Sequence, residues 1–266
     1  MYVVAITELA GTPDDAAAAL APVLGKSPYD TRLELAPGVP AVVLTTPEKV
    51  RAADVAVRVR ALKHTVVAFD ANAVVASEDM IGLKRFRFEP DALTTEDRPN
   101  ERLLYDDVFA MLRAVHRFES RTHEEITKKE FSGARALMSG GILATKTVTE
   151  TNHTVFKEKM NVLYVFRTSG ATPWILRENG TNYAGLGAAR SPVQTTNFAT
   201  AVRLFRERMP QAAFDDRLTT LRRIRTGEAI SRPGISTESS SVPWTDLLAH
   251  VVAYSVSQRG AGPYRT

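Results

Sequence analysis

The stretch MIGLKRFRFEPDALTTEDRPNERLLYDDVFAMLRAVHR, from Met80 to Arg117, decides how the chain divides. From Gly82 to Glu89 apolar and basic residues alternate, with the two-residue period of a half-buried β-strand. Pro90-Asp91 then indicates a turn, and Leu103 to Val115 is a second apolar run. The stretch predicts the first hairpin of a β-rich domain and places a domain boundary on its N-terminal side.

The two faces of the first predicted strand differ in chemistry. Phe86 and Phe88 occupy one face, and Arg85 and Arg87 occupy the other. Because aromatic side chains favour burial and arginines stay in water, we expect the phenylalanines to enter a core and the arginines to face solvent. A helix at this position would contradict the architecture.

The composition bounds the class of protein. The chain has 266 residues, of which 44% are hydrophobic and 24% are charged, enough for two globular domains. It has no cysteine, so disulfides, thiol nucleophiles and cysteine-ligated zinc are excluded. The N-terminal MYVVAITELAG lacks the basic region of a signal peptide, and no apolar run approaches the ~18 residues of a membrane helix. We expect a cytoplasmic protein without a transmembrane segment.

Residues 1–76 are predicted to form a small α/β domain with the element order β-α-α-β-α-β. Its strands are the runs YVVAIT, AVVLT and TVVAF, and parallel pairing is expected where a helix crosses between strands. Thr12-Pro13 and Ser27-Pro28 indicate the starts of the first two helices. The third helix follows Thr46-Pro47, and its expected buried stripe is Val50, Ala53, Val57 and Ala61.

In element order and length, residues 1–70 resemble the C-terminal domain of the bacterial ribosomal stalk protein. More distantly, they resemble the adaptor fold that presents substrates to bacterial AAA+ proteases. The resemblance is one of topology and implies a domain that makes protein contacts. No binding residue follows from it, because the Gly-Lys-rich helix that the stalk family uses is absent here.

Strands and a helix follow in the middle of the chain. Asn161–Thr168 and Pro173–Glu178 flank the turn Ser169-Gly170 and predict a hairpin, and Tyr183–Leu186 is expected to add a strand. A helix begins near Thr195, and its apolar residues at helical spacing are Phe198, Val202, Phe205 and Met209.

Two middle segments leave alternatives open. Lys128–Asn161 is apolar and glycine-broken at its centre, so it is either a long hairpin or a mobile insertion. Gln211–Arg225 follows Pro210 and is a candidate extension of the preceding helix. The first segment leaves the number of strands undecided.

A succession of roughly six or seven strands closed by one amphipathic helix is the order of a pleckstrin-homology-like (PH/GRAM-type) domain. The phrases PDAL (Pro90–Leu93) and LLYDDV (Leu103–Val108) resemble the start of bacterial members of this group. The resemblance implies a PH-like antiparallel β-barrel capped by an α-helix over residues 80–226. The predicted fold class is therefore α+β, with a two-layer βααβαβ domain, this PH-like domain and a C-terminal helix.

The C-terminal region divides into a linker and a helix. Residues 227–241 are rich in Ser, Gly and Pro and are predicted to be a linker, and residues 242–266 to be an amphipathic helix and tail. The helix carries one apolar stripe, Trp244, Leu247, Leu248 and Val251. Because such a stripe is not stable in water, we expect it to dock on this chain, on a second copy or on a protein partner.

The positive charge of the chain is concentrated in its middle. Residues 79–226 contain 24 Lys or Arg against 18 Asp or Glu, and the net charge of the whole chain is +4. A basic face attracts anionic lipids and other polyanions. The candidate anion-binding residues are Lys84, Arg85, Arg87, Lys128, Lys129 and Lys146.

No motif predicts catalysis or metal binding. The five histidines stand far apart in the sequence, so no helical pair of metal ligands is predicted. In Ser139–Thr147, Thr145 takes the place of the glycine that a phosphate-binding loop requires before its lysine. For Asp106-Asp107 a structural turn is favoured over acid/base or magnesium chemistry. We assign no catalytic residue, no metal and no cofactor.

These observations do not identify a specific activity, and three function classes are kept. The leading hypothesis is a non-enzymatic cytoplasmic binding or scaffold protein, with an α/β domain for protein contacts and a PH-like domain with a basic face. One alternative is an enzyme with a pocket between the two domains. The other is a nucleic-acid-binding protein, against which the scarcity of aromatic residues among the basic ones counts.

Overall fold

The computed structural model describes residues 1–131, 145–221, 227–228, 237–261 and 263, and it describes no side chains for 120–131, 145–156, 227–228, 237–239 and 261. Contacts divide the chain into two compact units. The first contains Met1–His116, Lys159–Arg225 and Ser241–Thr266, and the second contains Arg117–Glu158 and Thr226–Ser240.

The first unit begins with the predicted βααβαβ order. The elements are β1 (Tyr2–Glu8), α1 (Pro13–Leu24), α2 (Pro28–Leu35), β2 (Ala41–Thr46), α3 (Lys49–Ala61) and β3 (Thr65–Asp70). The hydroxyl groups of Thr12 and Ser27 accept hydrogen bonds from Asp15 N and Asp30 N, so both predicted helix starts are confirmed.

The three strands form one sheet in the order β2-β1-β3, and both pairings are antiparallel. The expectation of parallel pairing is therefore wrong. Since β2 and β3 are each antiparallel to β1, they run parallel to each other at opposite edges of the sheet. Helix α3 joins these two edge strands, and β1 lies between them.

Both faces of this sheet are covered. Val4 and Ile6 of β1 face a core that includes residues of α1 and α3. Val3 and Ala5 point to the opposite face, where they pack with Val251 of the C-terminal helix. The alternation of strand side chains thus makes the C-terminal helix part of the N-terminal fold.

Helix α3 buries a different face from the predicted one. Its buried residues are Ala52, Val55, Ala56 and Val59. In contrast, Val50 is 82% exposed and Val57 is 61% exposed, and Ala53 and Ala61 are also exposed. The prediction failed because α3 has apolar residues on two sides, and the side with Ala52 and Ala56 lets the helix approach the sheet closely.

The Met80–Arg117 stretch forms four short strands before a long one. They are β4 (Ile81–Gly82), β5 (Phe86–Phe88), β6 (Ala92–Thr95) and β7 (Arg102–Leu104), of which β5, β6 and β7 make an antiparallel sheet. Phe86 is 4% exposed, Phe88 packs against the same core, and Arg85 and Arg87 are exposed. The predicted orientation of this strand is confirmed.

The next strands are β8 (Val108–Phe131), β9 (Thr145–Arg167) and β10 (Trp174–Arg177). Strand β10 pairs antiparallel with β9, which confirms the predicted hairpin, and pairs parallel with β4. Helix α4 (Gln194–Arg208) follows and buries Phe198, Val202 and Phe205, as predicted.

Two expectations in this region are wrong. Tyr183–Leu186 lies in a 3₁₀ segment, Tyr183–Ala189, instead of a strand. The Asn182 side chain accepts a hydrogen bond from Ala184 N, which favours a turn over an extended strand at this point. Gly185 in this turn lies so close to β5 that a Cβ atom on it would lie 2.0 Å from the carbonyl oxygen of Phe86. Helix α4 also ends at Arg208, before Pro210, and the chain continues as β11 (Ala213–Asp215), which pairs parallel with β8.

The α+β class is confirmed. Across the described residues, none of the three sheets closes into a barrel. In the second unit, β12 (Gly227–Glu228) pairs antiparallel with β13 (Thr237–Ser240), which pairs with β8, so the described part of the predicted linker forms strands. Strands β8 and β9 are neighbours in their sheet, and residues 132–144 between them lie outside the described chain.

The last helix is α5 (Val242–Val256), followed by a π-helical turn at Ser257–Ala261. No helix in the described part of the chain combines the length and the apolar composition that a bilayer crossing needs.

Candidate interaction site

Helix α5 docks on its own chain. Leu248 and Val251 are 3% and 0% exposed, and Trp244 and Leu247 are partly buried against the same cores. Tyr254 also stacks on Phe69 of β3, with ring centroids 4.2 Å apart. Of the three docking possibilities for this helix, the structure contains the one within the chain.

A buried carboxylate fixes the position of α5. Asp246 Oδ1 accepts a hydrogen bond from the hydroxyl group of Tyr164 at 2.6 Å and another from Ser77 Oγ. Asp246 Oδ2 accepts from Ser77 N at 2.8 Å. The carboxylate therefore joins α5 to β9 and to the segment that follows β3.

Two histidines complete this cluster as neutral groups. The Tyr164 proton is donated to Asp246, so Tyr164 accepts from His116 Nε2 at 2.6 Å. Burial is the main cause that lowers the pKa of His116, to about 4. His250 Nε2 accepts from Val75 N, so its Nδ1 donates to the carbonyl oxygen of Asp246, and burial lowers the pKa of His250 as well.

The cluster has chemistry-bearing groups but no access for a substrate. His116, Tyr164 and Asp246 are 1%, 0% and 2% exposed, and Ser77 is 3% exposed. Groups this deeply enclosed satisfy one another's hydrogen bonds. The cluster therefore anchors α5.

The predicted acidic pair has a structural partner. Asp107 accepts hydrogen bonds from Arg167 Nε at 2.7 Å and from Ser169 N at 2.8 Å, which fixes the turn after β9. Burial raises the pKa of Asp107, but these hydrogen bonds outweigh burial and leave it below the ordinary value.

The six predicted anion-binding residues fall into two groups. Lys84, Arg85 and Arg87 are exposed around β5, and Arg85 lies 3.7 Å from the Glu96 carboxylate. Lys128 and Lys129 lie in β8 and Lys146 lies in β9, but their side chains are outside the described residues. Lys84, Arg85 and Arg87 are therefore exposed neighbours in sequence, and a shared anion-binding face for all six residues stays a prediction.

The N-terminal domain carries a groove that the sequence did not predict. It has a volume of about 520 Å³ and lies between the flank of α3 next to the sheet and the open edge of β3. We call it the α3–β3 groove; its lining residues are Tyr2, Lys49, Ala52, Ala53, Ala56, Val57, Arg60, Ala68, Phe69 and Asp70. Most of these lining residues are apolar, and one of them, Val57, is 61% exposed.

The charged residues of the groove favour an anionic ligand. Lys49 and Arg60 are exposed, and neither has a carboxylate partner among the residues that the structure describes. Asp70 is the acidic lining residue, and its carboxylate accepts hydrogen bonds from Asn72 N and Met1 N. The hydrogen bond from Asn72 N is the main cause that lowers the pKa of Asp70, so this carboxylate stays ionised. Its charge is already partnered by these two N–H donors.

A second concave region, of about 610 Å³, lies at the start of α4 and is lined by polar residues. Those of its polar groups that are buried already have hydrogen-bond partners within the protein. Asn197 both accepts from Ser191 N and donates to Ser191 O, and Thr181 donates to Arg177 O. Because these groups are satisfied by the protein, this region offers less to a ligand than the α3–β3 groove.

No protein-family model, curated protein or solved structure matches this chain. The candidate site therefore rests on geometry alone. One sequence signal could have found it: Ala53 and Val57, which line the groove, belong to an apolar stripe on α3 that is separate from the stripe that faces the sheet. When one apolar stripe of a helix packs on the sheet, the second stripe stays exposed and can contact a ligand.

Proposed function

We propose that this chain is a non-enzymatic binding protein whose N-terminal domain captures a segment of a partner protein in the α3–β3 groove. The segment has an apolar side chain at its centre and a carboxylate on either side. The observation that carries the proposal is the apolar groove with Lys49 at one end of α3 and Arg60 at the other.

The dimensions of the groove define the ligand. Lys49 and Arg60 are eleven residues apart on α3, which corresponds to about 16 Å at 1.5 Å per residue. An extended segment reaches a similar length over four to five residues at ~3.3 Å per residue. Two carboxylates four residues apart, with the apolar residue midway, would approach both cations.

The energy of such a contact comes from two sources. The alanine and valine surface provides apolar burial at about 25 cal/mol per Å², and the exposed ion pairs add roughly 0.2 to 1 kcal/mol each. The charges contribute more to selectivity between partners than to affinity. The proposal is independent of a PH-like domain, since the groove belongs wholly to residues 1–70.

The test is a titration with synthetic peptides of the pattern Ser-Glu-Thr-X-Thr-Glu-Ser, where X is Val, Leu or Phe. We expect saturable binding of at least one of them, and binding about tenfold weaker in the double variant Lys49→Glu/Arg60→Glu. The charge-exchanged peptide, with Lys in place of Glu, should prefer that double variant.

The matched control is Arg51→Glu, the same charge reversal on the same helix. Arg51 lies about 200° around the helix from Lys49, away from the groove. It should leave peptide affinity within about twofold. Failure of all three acidic peptides to bind, or equal binding of acidic and basic peptides, would refute the proposal.

A further inference from the structure

We infer that the partner segment binds as a fourth strand of the N-terminal sheet, hydrogen-bonded to the free edge of β3. This inference rests on the proposed function and adds the conformation of the ligand and the backbone groups that hold it.

The alternation of hydrogen bonds between β1 and β3 shows which backbone N–H and C=O groups of β3 point away from β1. Ala71 N donates to Met1 O, and Tyr2 to Ile6 lie opposite Asp70 to Val66 in antiparallel register; the register shifts only beyond Ile6, between Ile6 and Glu8. In such a ladder, bonded and non-bonded pairs alternate. Phe69 and Val67 therefore bond to β1, whereas the N–H and C=O groups of Val66, Ala68 and Asp70 point away from it.

No strand in the described part of the chain pairs with that outer edge. Arg60 reaches over it and donates to the carbonyl oxygen of Val66 at 3.3 Å, which closes one end. The backbone groups of Ala68 and Asp70 remain, and these two residues are partly exposed. The edge thus offers a short hydrogen-bonding site beside the groove.

Side-chain direction links this edge to the groove. The side chains of Val66 and Ala68 face the α3 side of the sheet, since both pack with the core that contains α3. A residue placed across from Ala68 on an added strand would project its side chain to the same side, into the groove. Main-chain bonds then supply affinity and the groove selects the side chain, as in other cases of strand addition.

The geometry favours an extended acidic segment over a bound helix and over a second copy of the chain. A bound helix would have no free backbone groups to pair with Ala68 and Asp70. A second copy of the chain, paired edge to edge, would bring a second set of Lys49 and Arg60 to the same surface. Like charges at close range oppose that arrangement, whereas an acidic extended segment complements it.

The test uses the peptide of highest affinity from the titration above in two singly N-methylated forms. One carries the methyl group on the central residue X, and the other carries it on the adjacent threonine. In a β-ladder only alternate N–H groups face the neighbouring strand. We expect one form to bind at least tenfold more weakly than the parent peptide and the other to bind within about twofold.

Equal affinity of the two methylated forms would overturn the strand inference and leave the proposed function standing, since the parent peptide would still bind. Absence of binding by any parent peptide would instead overturn the proposed function. A protein variant provides a second arm. Ala68→Pro removes the outward N–H, which an edge strand tolerates, and should lose binding at least tenfold, whereas Ala68→Ser should retain it.

Sedimentation velocity tests whether a second copy of the chain occupies the edge of β3. We expect wild-type chain to show no dimer that depends on Ala68. A dimer that disappears in Ala68→Pro and persists in Ala68→Ser would assign this edge to a second copy, and would overturn the inference.

Discussion

The hydroxyl group of Tyr164 lies 2.6 Å from Oδ1 of Asp246, and this hydrogen bond joins β9 to the C-terminal helix in a fully buried setting. The same carboxylate accepts from Ser77 N and from Ser77 Oγ. Asp246 thus helps to tie the C-terminal helix to the first half of the chain.

Asp246→Ala is expected to destabilise the protein strongly. It would leave the Tyr164 hydroxyl and two donors of Ser77 without acceptors, and each buried unsatisfied group costs about 1 to 3 kcal/mol. We predict a loss of roughly 3 kcal/mol or more in the free energy of unfolding, measured in urea. Asp54→Ala, on the exposed side of α3, should change it by less than ~0.5 kcal/mol. A loss below 1 kcal/mol for Asp246→Ala would show that the cluster does not hold α5.

Stability should fall as the solution is acidified from pH 7 to 5. His116 has a folded-state pKa of about 4, below the ordinary value near 6.5, so the unfolded chain binds its proton more readily. The stabilising contribution of neutral His116 is therefore complete above about pH 6.5 and is lost as the pH falls towards 4. Over pH 7 to 5 we expect a loss of roughly 2 kcal/mol from this residue.

The control for this pH effect is His116→Gln. A glutamine amide keeps a donor for Tyr164 but does not titrate. His250 and His64 also have lowered pKa values and titrate with the same sign, so the variant should flatten the pH dependence without abolishing it. An unchanged slope between pH 7 and 5 would rule out His116 as a source.

Gly185→Ala is expected to destabilise the 3₁₀ segment and the sheet beneath it. The added Cβ would lie 2.0 Å from Phe86 O, which is a backbone atom, so the chain itself must move. We predict a loss of about 2 kcal/mol or more in the free energy of unfolding, typical of overpacking. Gly11→Ala, where the Cβ meets no atom within 4 Å, is the matched control. Equal effects of the two substitutions would contradict the close approach.

Two valines of α3 test which face of the helix is buried. Val59 is 0% exposed and Val57 is 61% exposed. Val59→Ala should lower the free energy of unfolding by about 2 kcal/mol, since two buried methyl-sized groups are lost and a cavity remains. Val57→Ala should leave it unchanged within ~0.5 kcal/mol. If Val57→Ala cost more stability in urea unfolding than Val59→Ala, the helix would bury the stripe predicted from sequence, and the α3–β3 groove would not exist.

Local patterns predicted much of this fold. Caps at Thr12 and Ser27 gave the first two helix starts, and the alternation around Phe86 and Phe88 gave the orientation of β5, because each depends on neighbours in sequence. Helix α3 could not be oriented in this way. Both of its sides are apolar, and only the small residues Ala52 and Ala56 decide which one lies on the sheet.

The features that depend on distant residues were not predicted. Asp246 is the one acidic residue of α5, and its partners Ser77 and Tyr164 are 169 and 82 residues away. The α3–β3 groove likewise depends on the antiparallel order β2-β1-β3, which leaves an edge of β3 open next to α3. Sequence periodicity reports on a single element, whereas a site of this kind is made by two.

The most direct test of the account is a map of backbone amide chemical shifts in labelled full-length protein, recorded as the acidic peptide with central Val, Leu or Phe is added. We predict that the amides of Val57, Ala68 and Asp70 shift together with one dissociation constant, and that those of Arg85 and Arg87 do not move. Shifts confined to the Arg85–Arg87 strand, or no saturable shift anywhere, would contradict the claim that the α3–β3 groove is where this protein binds its partner.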